Sequence, residues 1–358
     1  MKTYLFVRNK KYRPSTYYRI MQYIEGNKNL DIKISEYETN SYYEIKNVNK
    51  FTSVIKKLSG YIGYVRRVVF LSKMLFEKDY NIFVQREVFP KYIDPIGKWL
   101  LQQNVAKADN IYWDFDDNII KAKEITAFGK ELLSYHAKQI IVGNQYLRNT
   151  LSDQHRSKSL ILNTTDKMME IINLEKVNNL RLLNYEKEVV IIWVGTKINL
   201  QYLQNIIQVL DLAALELINK KLTLKIVSNF KLEIPTKKLN IVNVEWEREK
   251  AFEEMLNAHI GIMPLIEDEI TKGKCAFKAV QNIGCGLPVI VSNVGMNNEV
   301  ISDNGYLINE KSDWKNYIVE LSNDKDAWLL KSINSRKLWE SRFNSSNVKE
   351  SLSEFFKV

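Results

Sequence analysis

Three lysines fall within the seven-residue run Lys272-Gly273-Lys274-Cys275-Ala276-Phe277-Lys278. The residues that follow predict a short helix from about Ala276 to Ile283, then a glycine stop and the strand Val289-Ile290-Val291. Glycine permits close approach of a ligand to the backbone. A helix start offers N–H groups without intrahelical partners and the positive end of the helix dipole. Fixed cations beside such a turn suit a diphosphate. A solvated basic helix start is the competing reading, but the helix is otherwise apolar and Leu287-Pro288-Val289 returns at once to a core pattern. No Gly-x-x-x-x-Gly-Lys-Ser/Thr run occurs, which excludes a Walker loop.

Asp114, Asp116 and Asp117 come directly after an apolar run and should project from the carboxyl end of a strand. Carboxylates this close repel one another, and one with a raised pKa is suited to handling a proton. Other readings stay open. Asp-x-Asp can hold a divalent cation, an apolar strand before Asp-x-Asp resembles the nucleophile loop of haloacid-dehalogenase phosphatases, and the acids could simply cap a helix. His136, His155, His259, Cys275 and Cys285 show no metal-ligand spacing, so no metal is expected, and two cysteines favour a reducing compartment.

Apolar runs of strand length alternate with helical patterns along the whole chain, which predicts an α/β fold with parallel sheets. The expected strands of the first half are Thr3–Val7, Tyr80–Val84, Asn110–Trp113, Gln139–Val142 and Ser159–Leu162. A polar stretch from about Asp166 to Glu188 suggests a boundary. The grammar restarts at Val189–Val194, followed by Leu222–Val227, Asn240–Val244 and His259–Met263. The expected organisation is residues 1–184, residues 185–340 and a closing helix in residues 341–358. At 358 residues the chain exceeds one ordinary core. Ligands of open α/β sheets bind beyond the carboxyl ends of the strands, so the Asp and Lys clusters both sit where chemistry is expected.

Charge is unevenly distributed. Residues 1–187 carry 31 Lys and Arg against 20 Asp and Glu, and residues 188–358 carry 21 against 22. The excess suggests that the first half faces an anionic surface. In residues 51–76, Phe51, Val54, Ile55, Leu58, Ile62, Val65, Val69 and Met74 recur at helical spacing among Lys56, Lys57, Arg66, Arg67 and Lys73. Such a helix fits a membrane interface or the face of a sheet. No stretch reads as a signal peptide or a spanning helix, and a cytoplasmic chain, peripheral on the inner face of the plasma membrane, is expected.

His259-Ile260-Gly261-Ile262-Met263-Pro264-Leu265, the Lys-Gly-Lys-Cys-x-x-Lys-x-x-Gln run ending at Gln281, and Gly286-Leu287-Pro288-Val289 through Gly295 resemble the donor half of GT-B glycosyltransferases. The nearest likeness is to family 4, retaining enzymes that build bacterial surface polysaccharides. Pro14 to Arg19, Gln85-Arg86-Glu87, Tyr112 to Asp117 and Val142 to Leu147 are similar to the acceptor half. The resemblance implies two Rossmann-like domains facing a central cleft, with a nucleotide-sugar bound by the second. The acceptor, a lipid-linked or growing surface glycan, would be bound by the first. Members carry a Glu at the positions of Gly273 and Gln281; Gln281 can still bond a ribose hydroxyl, whereas Gly273 supplies no carboxylate. The diphosphate grip after the first strand of the second domain reads Gly195-Thr196-Lys197 here, so Lys274 and Lys278 are expected to take over its electrostatic task, without a metal. Trp246 and Glu247 are expected beside the base, Glu299 at a recurrent acidic position of the donor site, and Arg19, Arg86 and Asp114 on the acceptor side. Asp116 and Asp117 join the two lysines as catalytic candidates. GT-A, whose metal site is Asp-x-Asp, would leave the second half unexplained. A nucleotide-sugar epimerase of the same fold and an Asp-dependent phosphatase are the rival activities, and no nucleic acid is expected as a partner.

Overall fold

The structure, a computed structural model, describes residues 2–27, 29–45 and 50–356, without the side chains of residues 50 and 51. Among the described residues, twelve strands form two sheets of six, every described pairing parallel. The first sheet contains β1 (Lys2–Val7), β2 (Ile32–Glu36), β3 (Tyr80–Gln85), β4 (Asn110–Phe115), β5 (Gln139–Val142) and β6 (Ser159–Ile161). Its order is β2-β1-β3-β4-β5-β6. The second contains β7 (Glu188–Val194), β8 (Lys221–Val227), β9 (Asn240–Val244), β10 (Ile260–Met263), β11 (Val289–Ser292) and β12 (Gly305–Ile308), in the order β12-β11-β10-β7-β8-β9.

Both orders follow from right-handed crossovers. Each chain half starts in mid-sheet, winds one way, then returns past its first strand and winds the other way. The reversal leaves a crevice at the carboxyl ends of the two strands flanking it, β1 and β3 in one sheet and β7 and β10 in the other. Strands buried on both faces read as apolar runs, as in residues 82–84 of β3 and 189–194 of β7, which are buried throughout. Edge strands do not. Ile32-Lys33-Ile34-Ser35-Glu36 alternates polar and apolar residues on the rim of its sheet, and neither β2 nor β12 stands out in the sequence.

The chain divides into two compact units. One comprises the residues up to Thr164 together with those from Ser346 onward, and the other is Thr165–Ser345. The boundary therefore lies earlier than the sequence suggests, and residues 165–184 belong to the second unit. The reason is a buried guanidinium. Arg181, in the helix Leu174–Leu182, donates to the carbonyls of Met255, Leu256, Cys285 and Gly286, closing the ends of two helices of that unit. Burial lowers its pKa to about 10.

The closing helix, Ser345–Phe356, brings Val348, Leu352, Phe355 and Phe356 into the core of the first unit with Leu5, Phe83 and Tyr112. Phe356 stacks on Phe83 with ring centroids 5.0 Å apart. The core of the second unit gathers Ile191, Leu203, Leu210, Leu224, Ile260 and Trp328.

Candidate active site

At the reversal point of the second sheet, β7 ends in Gly195-Thr196-Lys197, and a loop after β10 leads into the helix Phe277–Gly284. A Cβ at Gly195 would lie 2.4 Å from the Trp193 ring, so only glycine lets the strand turn there. Thr196 and Lys197 are exposed, and the Lys197 ammonium lies 4.7 Å from the centre of the Phe230 ring. The loop after β10 is held from within. Asp268 accepts from the N–H groups of Ile270 (2.8 Å) and Thr271 (2.7 Å), and these bonds hold its carboxyl below the usual range. Lys272 pairs with Glu267 at 2.9 Å.

Lys274 reaches back to the β7 loop and donates to Asn199 Oδ1 at 3.4 Å, bringing both loops of the reversal point together. The helix then starts from Ala276, which takes a left-handed conformation with φ 47° and supplies no capping side chain. A residue with a Cβ is costly in that region, and such outliers persist where the surroundings fix them. Gly295, φ +57°, supports the turn from outside; a Cβ there would meet Lys272 O at 2.7 Å.

Lys278 stands in the first helical turn and donates to Gln281 Oε1 at 2.9 Å. Burial lowers its ammonium to a pKa of about 8, with Asp166 pulling the other way. Gln281, 2% exposed, donates its own amide to Asp166 Oδ2 at 2.7 Å. Burial raises the Asp166 pKa against the bonds from Met168 N–H and Gln281. The result is a Lys278–Gln281–Asp166 chain of which the sequence reveals the first two members. Asp166 sits in what reads as a polar linker, and nothing local marks it. Gln281 thus meets Lys278 and Asp166 with its two amide ends.

Trp246 and Glu247 follow β9, the edge strand two places from β7 on the same carboxyl side of the sheet; Trp246 is half-buried and Glu247 exposed. Glu299 follows β11 and is paired with Arg342 at 2.6 Å. Gly273 is buried in the loop between the two lysines.

In the first unit Asp117 and Asp114 both repel Asp116, but the three aspartates have different partners. Asp114 lies within β4, 1% exposed, and Arg19 grips both its oxygens, Nε to Oδ2 at 2.9 Å and Nη2 to Oδ1 at 2.5 Å. Arg19 Nη1 also donates to Leu162 O and Thr164 Oγ, each at 2.9 Å. Arg19 and Asp114, expected on the acceptor side, are thus buried and paired with each other. They position the ends of β4 and β6, and Asp114 is no accessible phosphatase nucleophile.

Arg86, directly after β3 with φ 69°, instead donates to Asp116 at 3.2 Å, Asp117 at 2.8 Å and Glu124 at 2.7 Å. Arg8 adds bonds to Glu87 and to Glu124 at 2.8 Å. Burial, then repulsion by Asp117, raises Asp116 to about 6 despite Arg86. Glu124, against the cost of its own burial, is held below the ordinary range by Arg86 and Arg8. Glu87 belongs to the Gln85-Arg86-Glu87 run, whereas Glu124 is a member of this cluster that the sequence does not single out. Asp116 and Asp117 are the acids placed at the strand's carboxyl end.

Residues 188–324 match the family described as Glycosyl transferases group 1. Solved structures of similar fold include HepE of Anabaena in complex with UDP and glucose, with a TM-score of 0.68, 11% identity, and coverage of 99% of this chain and 98% of that one. A glycosyltransferase from Rickettsia africae matches at TM-score 0.60 and 13% identity over 99% and 98%. Sucrose-phosphate synthase of Thermosynechococcus elongatus matches at TM-score 0.56 and 13% identity over 82% and 77%. No curated protein matches by sequence. The fold is that of GT-B glycosyltransferases, with two Rossmann-like domains, and the match covers the second of them.

Proposed function

We propose that the chain is a metal-independent, retaining glycosyltransferase that moves a hexosyl or related sugar from a nucleotide-sugar to a lipid-linked or growing surface glycan. The carrying observation is the meeting of Lys274 with the β7 loop at Asn199, beside the uncapped start of the Phe277–Gly284 helix. Backbone N–H groups, a dipole end and two lysines converge where a diphosphate is stabilised most. The UDP bound by HepE supports a uridine nucleotide as donor here.

In the reaction the bond between the anomeric carbon and the diphosphate oxygen breaks, and the electron pair leaves with the nucleotide. Lys274 and Lys278 receive that growing charge in place of a metal. The acceptor oxygen forms the new bond to the anomeric carbon from the same face that the diphosphate leaves, so that configuration is retained. Asp116, ionised in most molecules at neutral pH, takes the acceptor proton. Arg86 holds Asp116 in place, and Asp117, which shares Arg86, raises its affinity for the proton. Thr196, Lys197, Trp246, Glu247 and Glu299 complete the donor side, and Gln281 orients Lys278. The basic first half would bring the chain to a membrane bearing the acceptor.

Calorimetry with UDP-, GDP-, CMP- and dTDP-sugars tests the donor, and Lys274→Ala tests the site. The expected outcome is tight binding of one nucleotide class and a loss of turnover of about 10²–10³-fold in the variant with folding intact. Undiminished turnover removes the assignment. Donor incubated alone must yield no isomer, since an isomer would mark an epimerase.

A further inference from the structure

The helix Lys50–Met74 turns its apolar stripe outward. Val54, Leu58, Tyr61, Ile62, Val65 and Val69, at spacings of three and four, are exposed, the first three at 62%, 56% and 67%. The inward face is instead Ser59, Gly63, Arg67, Leu71 and Met74. That orientation is fixed. A Cβ at Gly63 would lie 1.9 Å from Tyr37 O, so no larger residue can face inward there. Arg67, fully buried, donates to Val7 O at 2.8 Å and Ser35 O at 3.2 Å, tying the helix to the ends of β1 and β2. A helix that only covered a sheet would place its apolar stripe on the sheet. This one cannot roll over.

The charge on this helix has one sign. Residues 50–76 contain six Lys or Arg and no Asp or Glu. Lys57, Arg66 and Lys73 are exposed along the helix. The neighbouring helix Pro95–Lys107 packs against it, Asn104 donating to Leu71 O at 3.0 Å, and adds exposed Ile96 and Trp99. No described helix is long and apolar enough to cross a membrane. An exposed apolar stripe on a helix whose own charges are all cationic matches the interface of an anionic bilayer, where tails receive the apolar side chains and headgroups the cations. A second copy of the chain would bring like charge against like charge.

We propose that the outer face of the Lys50–Met74 helix, with Ile96 and Trp99 beside it, inserts into the surface of an anionic lipid bilayer. The proposal rests on the reading that the acceptor is membrane-borne and gives that reading a surface.

Cosedimentation with vesicles of phosphatidylcholine, with and without phosphatidylglycerol, tests it on the full chain. Wild type should bind only the anionic vesicles. Leu58→Glu combined with Val65→Glu, both at exposed positions, should weaken binding by at least about tenfold. Lys57→Glu with Arg66→Glu should weaken it and flatten its salt dependence. Both variants should keep wild-type melting and nucleotide-sugar binding in solution. Equal vesicle binding by wild type and the Leu58/Val65 variant overturns the face while sparing the membrane-borne acceptor. No vesicle binding by a wild type that still binds donor overturns both. A wild-type dimer that the Leu58/Val65 variant dissociates, without vesicle binding, assigns the face to a second copy and overturns the proposal.

Discussion

Two side chains of the candidate site have pKa values drawn toward neutrality from opposite directions. Asp116 is raised to about 6 by burial and its neighbour Asp117, and Lys278 is lowered to about 8 by burial. A base must be deprotonated and an electrostatic clamp protonated. Turnover is therefore expected to rise as pH climbs through about 6 and to fall through about 8. Lys278→Arg should carry the alkaline limb upward, since a guanidinium keeps its proton, and Asp116→Asn should lower turnover across the range. The pH profile of turnover at saturating donor reads both, and an alkaline limb unmoved by Lys278→Arg would detach Lys278 from it. At this scale the sequence reveals residues that stand together in one motif, as Lys274, Lys278 and Gln281 do. It conceals partners brought in by topology: Asp166 meets Gln281 across 115 residues, and Arg19 meets Asp114 across 95. Neither separation leaves a local period or spacing to read.

Among the elements, the loop between β10 and the Phe277–Gly284 helix depends on a neighbouring position that suits only glycine. Gly295 has φ +57°, and a Cβ there would press within 2.7 Å of Lys272 O and 3.0 Å of its Cα. Backbone atoms cannot swing aside as a side-chain tip can. Gly295→Ala should therefore cost about 1–2 kcal/mol from the left-handed backbone alone, and the displaced Lys272–Lys274 segment should weaken nucleotide-sugar binding as well. Chemical denaturation and calorimetry measure the two effects, and a variant with unchanged stability and affinity would show that the loop does not lean on Gly295. Strand positions in the interior of both sheets are legible because two-sided burial favours apolar runs, as at residues 82–84 and 189–194. β2 and β12 are less legible, since a half-exposed edge tolerates Lys33, Ser35 and Glu36. The Lys50–Met74 helix has a readable period, but the close approach at Gly63 and the buried bonds of Arg67 decide which way it faces.

The chain as a whole is legible as two α/β units, whereas the division at Thr164 is not, because a polar composition near Asp166 looks the same whether it links two units or opens the second one. What assigns residues 165–184 is the set of carbonyls that Arg181 closes, all contributed by residues far along the chain. The last helix poses the converse case: its residues end the sequence yet complete the first core. Leu352 is 2% exposed among Leu5, Phe83 and Phe355. Truncating it removes buried methyl groups and leaves a cavity, a loss of about 2–5 kcal/mol for Leu→Ala at such a position. If the two units hold separate cores, Leu352→Ala should lower amide protection in β1, β3 and β4 while β7, β8 and β10 keep theirs. Hydrogen exchange read by mass spectrometry distinguishes this from the alternative, in which protection falls equally in both sheets because the chain unfolds as a single cooperative body.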